Sequence, residues 1–109
     1  MNELVINNHV RSIVNQFLNL LSQQCKKDRK KYFESKTYYI CAMMNQFTSK
    51  YENELVNKKL MNQEDYKKIY SKVSDIFFLE DIEVLKELFD DNFEKTRNAV
   101  KFLGLVCWK

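Results

Sequence analysis

The chain has 109 residues, of which 45% are hydrophobic, with one Gly, no Pro and a formal net charge of +3. That length and apolar content support one buried core, so a single domain over 1–109 is expected, and the near-absence of Gly and Pro excludes the turn chemistry of an all-β chain. The uncharged run TYYICAMMNQFTS (37–49) falls far short of the roughly 20 apolar residues that span a bilayer, and MNELVINNHV carries an acid where a secretory signal carries bases, so a cytoplasmic location is expected.

Apolar residues recur at helical spacing nearly throughout, which predicts an all-α bundle of about five helices. The first is predicted over about 8–26, with Val10, Ile13, Val14, Phe17, Leu18 and Leu21 on its buried face and Asn7 or Asn8 as its cap. CKKDRKKYFES then interrupts the pattern with five bases in six positions, and reads as a connecting loop. Ser35 is the expected N-cap of the second helix, whose apolar side is Ile40, Met43, Met44, Phe47 and Tyr51. NKKLMNQEDY breaks the pattern again. Asn62 can cap a third helix over about 63–78, bearing Tyr66, Ile69, Tyr70, Val73, Ile76 and Phe77, with acids in the first turn where the helix dipole favours them. Asp81 can start a short fourth helix with Ile82, Leu85 and Phe89, and Asn92 a fifth with Phe93, Val100, Leu103, Val106 and Cys107.

Charge is distributed unevenly. Up to Lys72 there are 13 Lys and Arg against 7 Asp and Glu; from Val73 onward there are 5 against 8. A basic front and an acidic back suit an anionic partner on one side, or head-to-tail stacking of copies. Lys26, Lys27, Arg29, Lys30, Lys31, Lys36 and Lys72 could follow a phosphate backbone, and a solvated face is the alternative. Lysine far outnumbers arginine, so base-edge reading is not expected and contact should be backbone-directed. Tyr32, Tyr38 and Tyr39 interleave with these cations; Tyr38, between core positions, is the candidate for stacking on an unpaired base, while packing accounts equally well for at least one of the others.

Catalytic constellations are sparse. There is no glycine-rich phosphate loop. Cys25, Cys41 and Cys107 are odd in number and widely spaced, which favours reduced structural thiols over disulfides or a metal knuckle. His9, the single histidine, reads as a surface residue near a helix start. The acidic pairs Glu80–Asp81 and Asp90–Asp91 fall where caps and first-turn acids belong. A non-enzyme without metal, cofactor or small-molecule substrate is expected.

SKTYYICAMMNQF (35–47), IEVLKEL (82–88) and FLGLVCWK (102–109) resemble helices of the small helical subunit of type III-A CRISPR effector complexes. In that family a Ser-Lys pair opens a helix that continues as Ile, small, Met, apolar, Asn. The resemblance implies a non-catalytic antiviral-defence subunit that stacks with copies of itself and other effector subunits along guide RNA paired with target RNA, and it implies a phosphate contact for Lys36. The sequence departs from the family at Tyr38, where a base is usual, at the shortened FFLEDI, and in lacking a glycine-rich tail.

ELFDDNFEKTRNAVKF (87–102) resembles instead the first homology motif of cell-death regulators that bind a partner helix in a groove, through Glu87, Leu88, Phe89, Asp91, Arg97 and Phe102, without the Asn-Trp-Gly-Arg signature. A third reading is a phage-type inhibitor or immunity protein that blocks a larger enzyme with one face of the bundle. A one-to-one complex with a protein, and no RNA, would mark either.

Overall fold

A computed structural model describes residues 2–59, 61–78 and 82–104, together with all their side chains except those of Leu55 and Ile82. The described residues are helical with no strand: α1 Glu3–Lys27, α2 Arg29–Tyr51 with a π-helical extension Glu52–Val56, α3 Gln63–Phe78, α4 Ile82–Leu88, a 3-10 turn Asp90–Asn92, and α5 Phe93–Leu103.

The first helix is longer than its apolar pattern. Asn2, not Asn7 or Asn8, caps it by accepting the Val5 N–H at 2.9 Å, and Asn7 becomes a buried member of the helix. At about 1.5 Å per residue α1 measures about 37 Å, close to the 41 Å long dimension of the molecule. It touches every other helix. Ile6, Val10, Ile13, Val14, Phe17 and Leu21 form its buried stripe, and Leu18 packs half-buried beside them.

The expected basic loop is a helix. Only Asp28 is extended, at φ −153° and ψ 93°. Its N–H bonds the Gln24 carbonyl at 3.2 Å, closing α1, and its carboxylate accepts the Lys31 N–H at 3.1 Å, opening α2. One residue therefore serves both helix ends, and α1 and α2 fold back on each other as an αα-hairpin whose contacts run from the corner to Phe17–Phe47 and His9–Tyr51. Lys and Arg are good helix formers when their heads stay solvated, and Tyr32, fully buried, holds the segment down by donating its hydroxyl to the Leu103 carbonyl. Ser35 does not cap α2. It breaks it, at φ −129° and ψ 19°, so the place of the expected boundary is a kink inside a longer helix.

Beyond the kink Ile40, Met44 and Phe47 are buried, while Met43 and Tyr51 lie half-buried at the rim of the core. Asn62 caps α3 through the Asp65 N–H at 2.8 Å, and Tyr66, Ile69, Val73, Ile76 and Phe77 point inward, with Tyr70 exposed at the edge of that stripe. The turn before α3 sets Lys59 at φ 61°, a left-handed conformation that glycine would adopt at less cost. Leu85 and Phe89 are buried as expected; Arg11 donates Nε to the Leu88 carbonyl at 2.7 Å and so ties the end of α4 to α1. Asn92 precedes α5 without a side-chain cap bond. At the close of α5 Gly104 is required by proximity: a Cβ there would lie 2.6 Å from the Val100 carbonyl oxygen. Asp81, Glu80, Val106 and Cys107 lie outside the described residues. No described helix is long and apolar enough to cross a membrane.

Candidate nucleic-acid interface

The two helix ends that Asp28 joins bring five cations into one corner. Lys26 and Lys27 occupy the last turn of α1; Arg29, Lys30 and Lys31 occupy the first turn of α2. All five side chains are exposed, and none forms an ion pair among the described residues. Lysines on the last turn of α1 oppose its partial negative charge, whereas those on the first turn of α2 add to a positive helix end, so the excess positive potential lies on the α2 side.

Aromatic rings border the corner on both sides. On one, the Arg29 guanidinium stands 5.5 Å from the Phe33 ring centre and 5.7 Å from that of Phe102, two rings themselves edge-to-face at 5.4 Å. Lys36 lies half-buried with its ammonium 5.9 Å from the Phe33 ring. On the other side runs a row of tyrosines. Buried Tyr32 stacks on Tyr39 at 5.9 Å and 15°, and Tyr39 meets Tyr38 edge-to-face at 5.8 Å. Tyr38 is 71% exposed, so the row ends in solvent, as the spacing predicts. Burial, aided by the nearby Cys25 thiol, pushes the Tyr32 hydroxyl up to about 12. Tyr32 is thus a structural member of the row, and Tyr38 the one free to meet a ligand.

A trough opens between α1 and α2 below the corner. Its inner part, about 380 Å³, is floored by Leu20, Tyr39 and Met43 and walled by Gln23, Gln24 and Gln46. Its outer part, about 500 Å³, reaches Lys31, Ser35 and Tyr38, and Lys27 lines both.

Lys72, grouped with these residues by charge, is elsewhere. Its ammonium bonds Asn7 Oδ1 at 2.8 Å and pairs with Glu3, and Asn7 Nδ2 reaches Glu87 at 3.4 Å. Asn7 and Lys26 are nineteen residues apart on α1, about 28 Å along its axis. Lys72 therefore belongs to a polar network at the opposite end of the hairpin, where it holds the Glu3 carboxyl below the ordinary carboxylate range.

His9 is not a simple surface residue: it is half-buried, with Nδ1 3.2 Å from the Tyr51 hydroxyl. Cys25 packs against the core and Cys41 is exposed, both as free thiols. Asp90 and Asp91 sit in the 3-10 turn ahead of α5, and among the described residues no three His, Cys, Asp or Glu side chains gather in a metal-holding group. Phe33 and the three trough glutamines were not singled out by sequence pattern, and Phe102 only for the cell-death-regulator motif; an aromatic beside a base, three or four residues from another, was the available signal for Phe33.

No family model matches the chain, and neither the curated proteins nor the solved structures contain a match to it.

Proposed function

We propose that the chain works by binding rather than by catalysis, and that the Asp28 corner grips an RNA backbone. The observation that carries this reading is the convergence of Lys26, Lys27, Arg29, Lys30 and Lys31, exposed and, among the described residues, without an acidic side chain paired to any of them, beside the exposed ring of Tyr38. Flexible ammonium groups on a convex corner suit phosphates taken as point charges; they do not form the planar forks that read base edges. Lys36 and Tyr38 follow on the next turns of α2. In its finer form the proposal is the role implied by the resemblance to the type III-A small subunit: a non-catalytic member of an RNA-guided complex, stacked against copies of itself.

The coarse reading is tested by anisotropy titration of the purified chain with a labelled 20-nucleotide RNA across a salt series. Affinity should fall linearly in log salt, with a slope that counts the phosphates engaged. No binding at low salt overturns it. Co-expression with the other subunits of a type III-A complex tests the finer form, which fails if the chain does not co-purify with them and their guide RNA.

One observation favours the rival, a blocker of a partner protein. The residues that resemble the cell-death regulator motif span the α4–α5 junction in two sets: Leu88 and Phe89 are buried, while Phe102 is exposed on α5 and Arg97, paired with Glu94 at 2.8 Å, stays partly exposed. The Arg97 guanidinium stands 5.7 Å from the half-buried Phe93 ring, and a cation beside apolar surface suits an acidic, amphipathic partner helix. Under that reading Arg97→Ala weakens a one-to-one protein complex, and replacing the corner lysines leaves it intact.

A further inference from the structure

We infer that the trough between α1 and α2 receives the base of an unpaired nucleotide whose phosphate is held by Lys27 and Lys31, so that the chain prefers single-stranded to fully paired RNA. This rests on the RNA-binding reading above and goes beyond it, because an exposed cationic corner alone would grip any phosphate backbone.

Gln24, Lys27 and Tyr39 line both parts of the trough, so the apolar part and the charged part adjoin. The apolar part has the chemistry of a base site. Leu20, an apolar residue 48% exposed, lies in it with the ring of Tyr39 and the thioether of Met43. Gln23, Gln24 and Gln46 each bring a donor and an acceptor to the wall, which suits the mixed edge of a nucleobase and carries no charge to favour one base. No acid lines this part among the described residues. The outer part has the chemistry of a phosphate site, with Lys27 and Lys31; its one acid, Asp28, already accepts the Lys31 backbone N–H. Tyr38 stands at the exit, where the neighbouring base of the same strand can stack. A paired base is stacked within its helix and cannot enter a cleft between two α-helices; an unpaired base turned outward can.

The test uses four probes with the intact chain in anisotropy titrations: a 12-nucleotide single-stranded RNA, the same sequence as a duplex, a phosphodiester strand of equal length with abasic spacers, and heparin as a competitor. The single strand should bind about tenfold more tightly than the duplex or the abasic strand, the size expected for one or two stacked bases. Ala42→Leu and Gln46→Phe, which fill the cleft from α2, should each remove that preference and leave abasic-strand affinity unchanged. Gln46 is exposed, so its variant keeps the test open if Ala42→Leu does not fold. Equal affinity for single strand, duplex and abasic strand, all displaced alike by heparin, overturns the base site and leaves a phosphate-binding corner. A preference for single strands that survives both fillings also overturns it. Absence of binding to every probe at low salt removes the RNA-binding reading as well.

Discussion

The two ends of the α1–α2 hairpin use lysine in opposite ways. At the Asp28 corner five cations stand in solvent without an ion-pair partner among the described residues, and the acid between them in the chain, Asp28, is spent on capping. At the far end Lys72 is half-buried and engaged by Glu3 and Asn7, which in turn reaches Glu87. The first arrangement leaves charge for a partner; the second consumes it to fix the α1 start against α3 and α4. Charge along the sequence counts both alike, and the difference between an available cation and a structural one exists only after folding.

The comparison depends on α1 and α2 staying paired, so the largest expected effect comes from breaking their core contact. Phe47 is buried and packs edge-to-face on Phe17 at 5.6 Å, with Phe17 also 5.6 Å from Phe77. Phe47→Asp places an unpaired carboxylate there and should abolish the fold, because its burial costs more than a domain's marginal stability can offset. Far-UV circular dichroism and the loss of a cooperative melt will read this. Met43→Asp, by contrast, changes a half-buried residue of the trough floor and should leave a folded protein, with the loss confined to single-strand affinity.

Charge reversal separates the two ends directly. Lys27→Glu with Lys31→Glu should weaken RNA binding by about tenfold or more and make the salt slope shallower by about 1.4 to 1.8, the amount for two phosphate contacts. The melting temperature should hardly change. Lys72→Met should leave RNA affinity unaltered. A Lys72 variant that weakens RNA binding as much as the corner pair would erase the distinction between the ends.

The corner itself is held by one buried hydroxyl, and its removal is the next smaller effect. Tyr32→Phe leaves the Leu103 carbonyl without its donor, at a cost of about 1–3 kcal/mol, visible as a drop of several degrees in Tm. It also carries a pH signature. Burial raises the Tyr32 hydroxyl to about 12, while an unfolded tyrosine titrates near 10. A folded pKa above the unfolded one means the stabilisation is complete below about pH 10 and is lost as pH climbs from about 10 to 12. The phenylalanine variant should show a flatter alkaline limb over that window.

Much of the architecture was legible because core helices announce themselves by spacing: α3 appears at the limits its Asn62 cap and apolar stripe predict, α5 starts just after Asn92, and α4 ends at Leu88, one residue short of the Phe89 that its stripe includes. The illegible part was the α1–α2 junction. Five bases concealed a helix there, because a solvated cationic surface and a loop have the same composition, and the residue that makes it a helix, Tyr32, is a single buried ring in a polar run. Ser35 carried a true signal of broken geometry, misread as a start because the chain on its N-terminal side is also helical. The cationic corner could be read from sequence; the trough could not, since Leu20, Gln24 and Gln46 come from two helices whose register is set only by the hairpin.

The smallest expected effect isolates the structural end. Glu3 is fully exposed, yet its hydrogen bond and attraction to Lys72 depress its carboxyl pKa, with Lys68 adding a lesser attraction against a small opposing effect of burial. A carboxylate whose folded pKa lies below its unfolded one stabilises the fold above the unfolded value, and that contribution is lost as pH falls through the folded one. Solvent screens such a pair, so the change in neutral-pH stability on Lys72→Met should be the slightest of the series and should shrink further at high salt. The acid limb is the sharper readout: melting temperature measured downward from neutrality should fall less steeply in Lys72→Met than in the parent, and the Glu3→Gln variant should show the same flattening. Non-additive loss in the double variant would place both residues in one interaction, whereas an unchanged acid limb would mean that Asn7 alone holds Lys72 and that the α1 start is fixed by the hydrogen bond from the ammonium to the Asn7 amide oxygen.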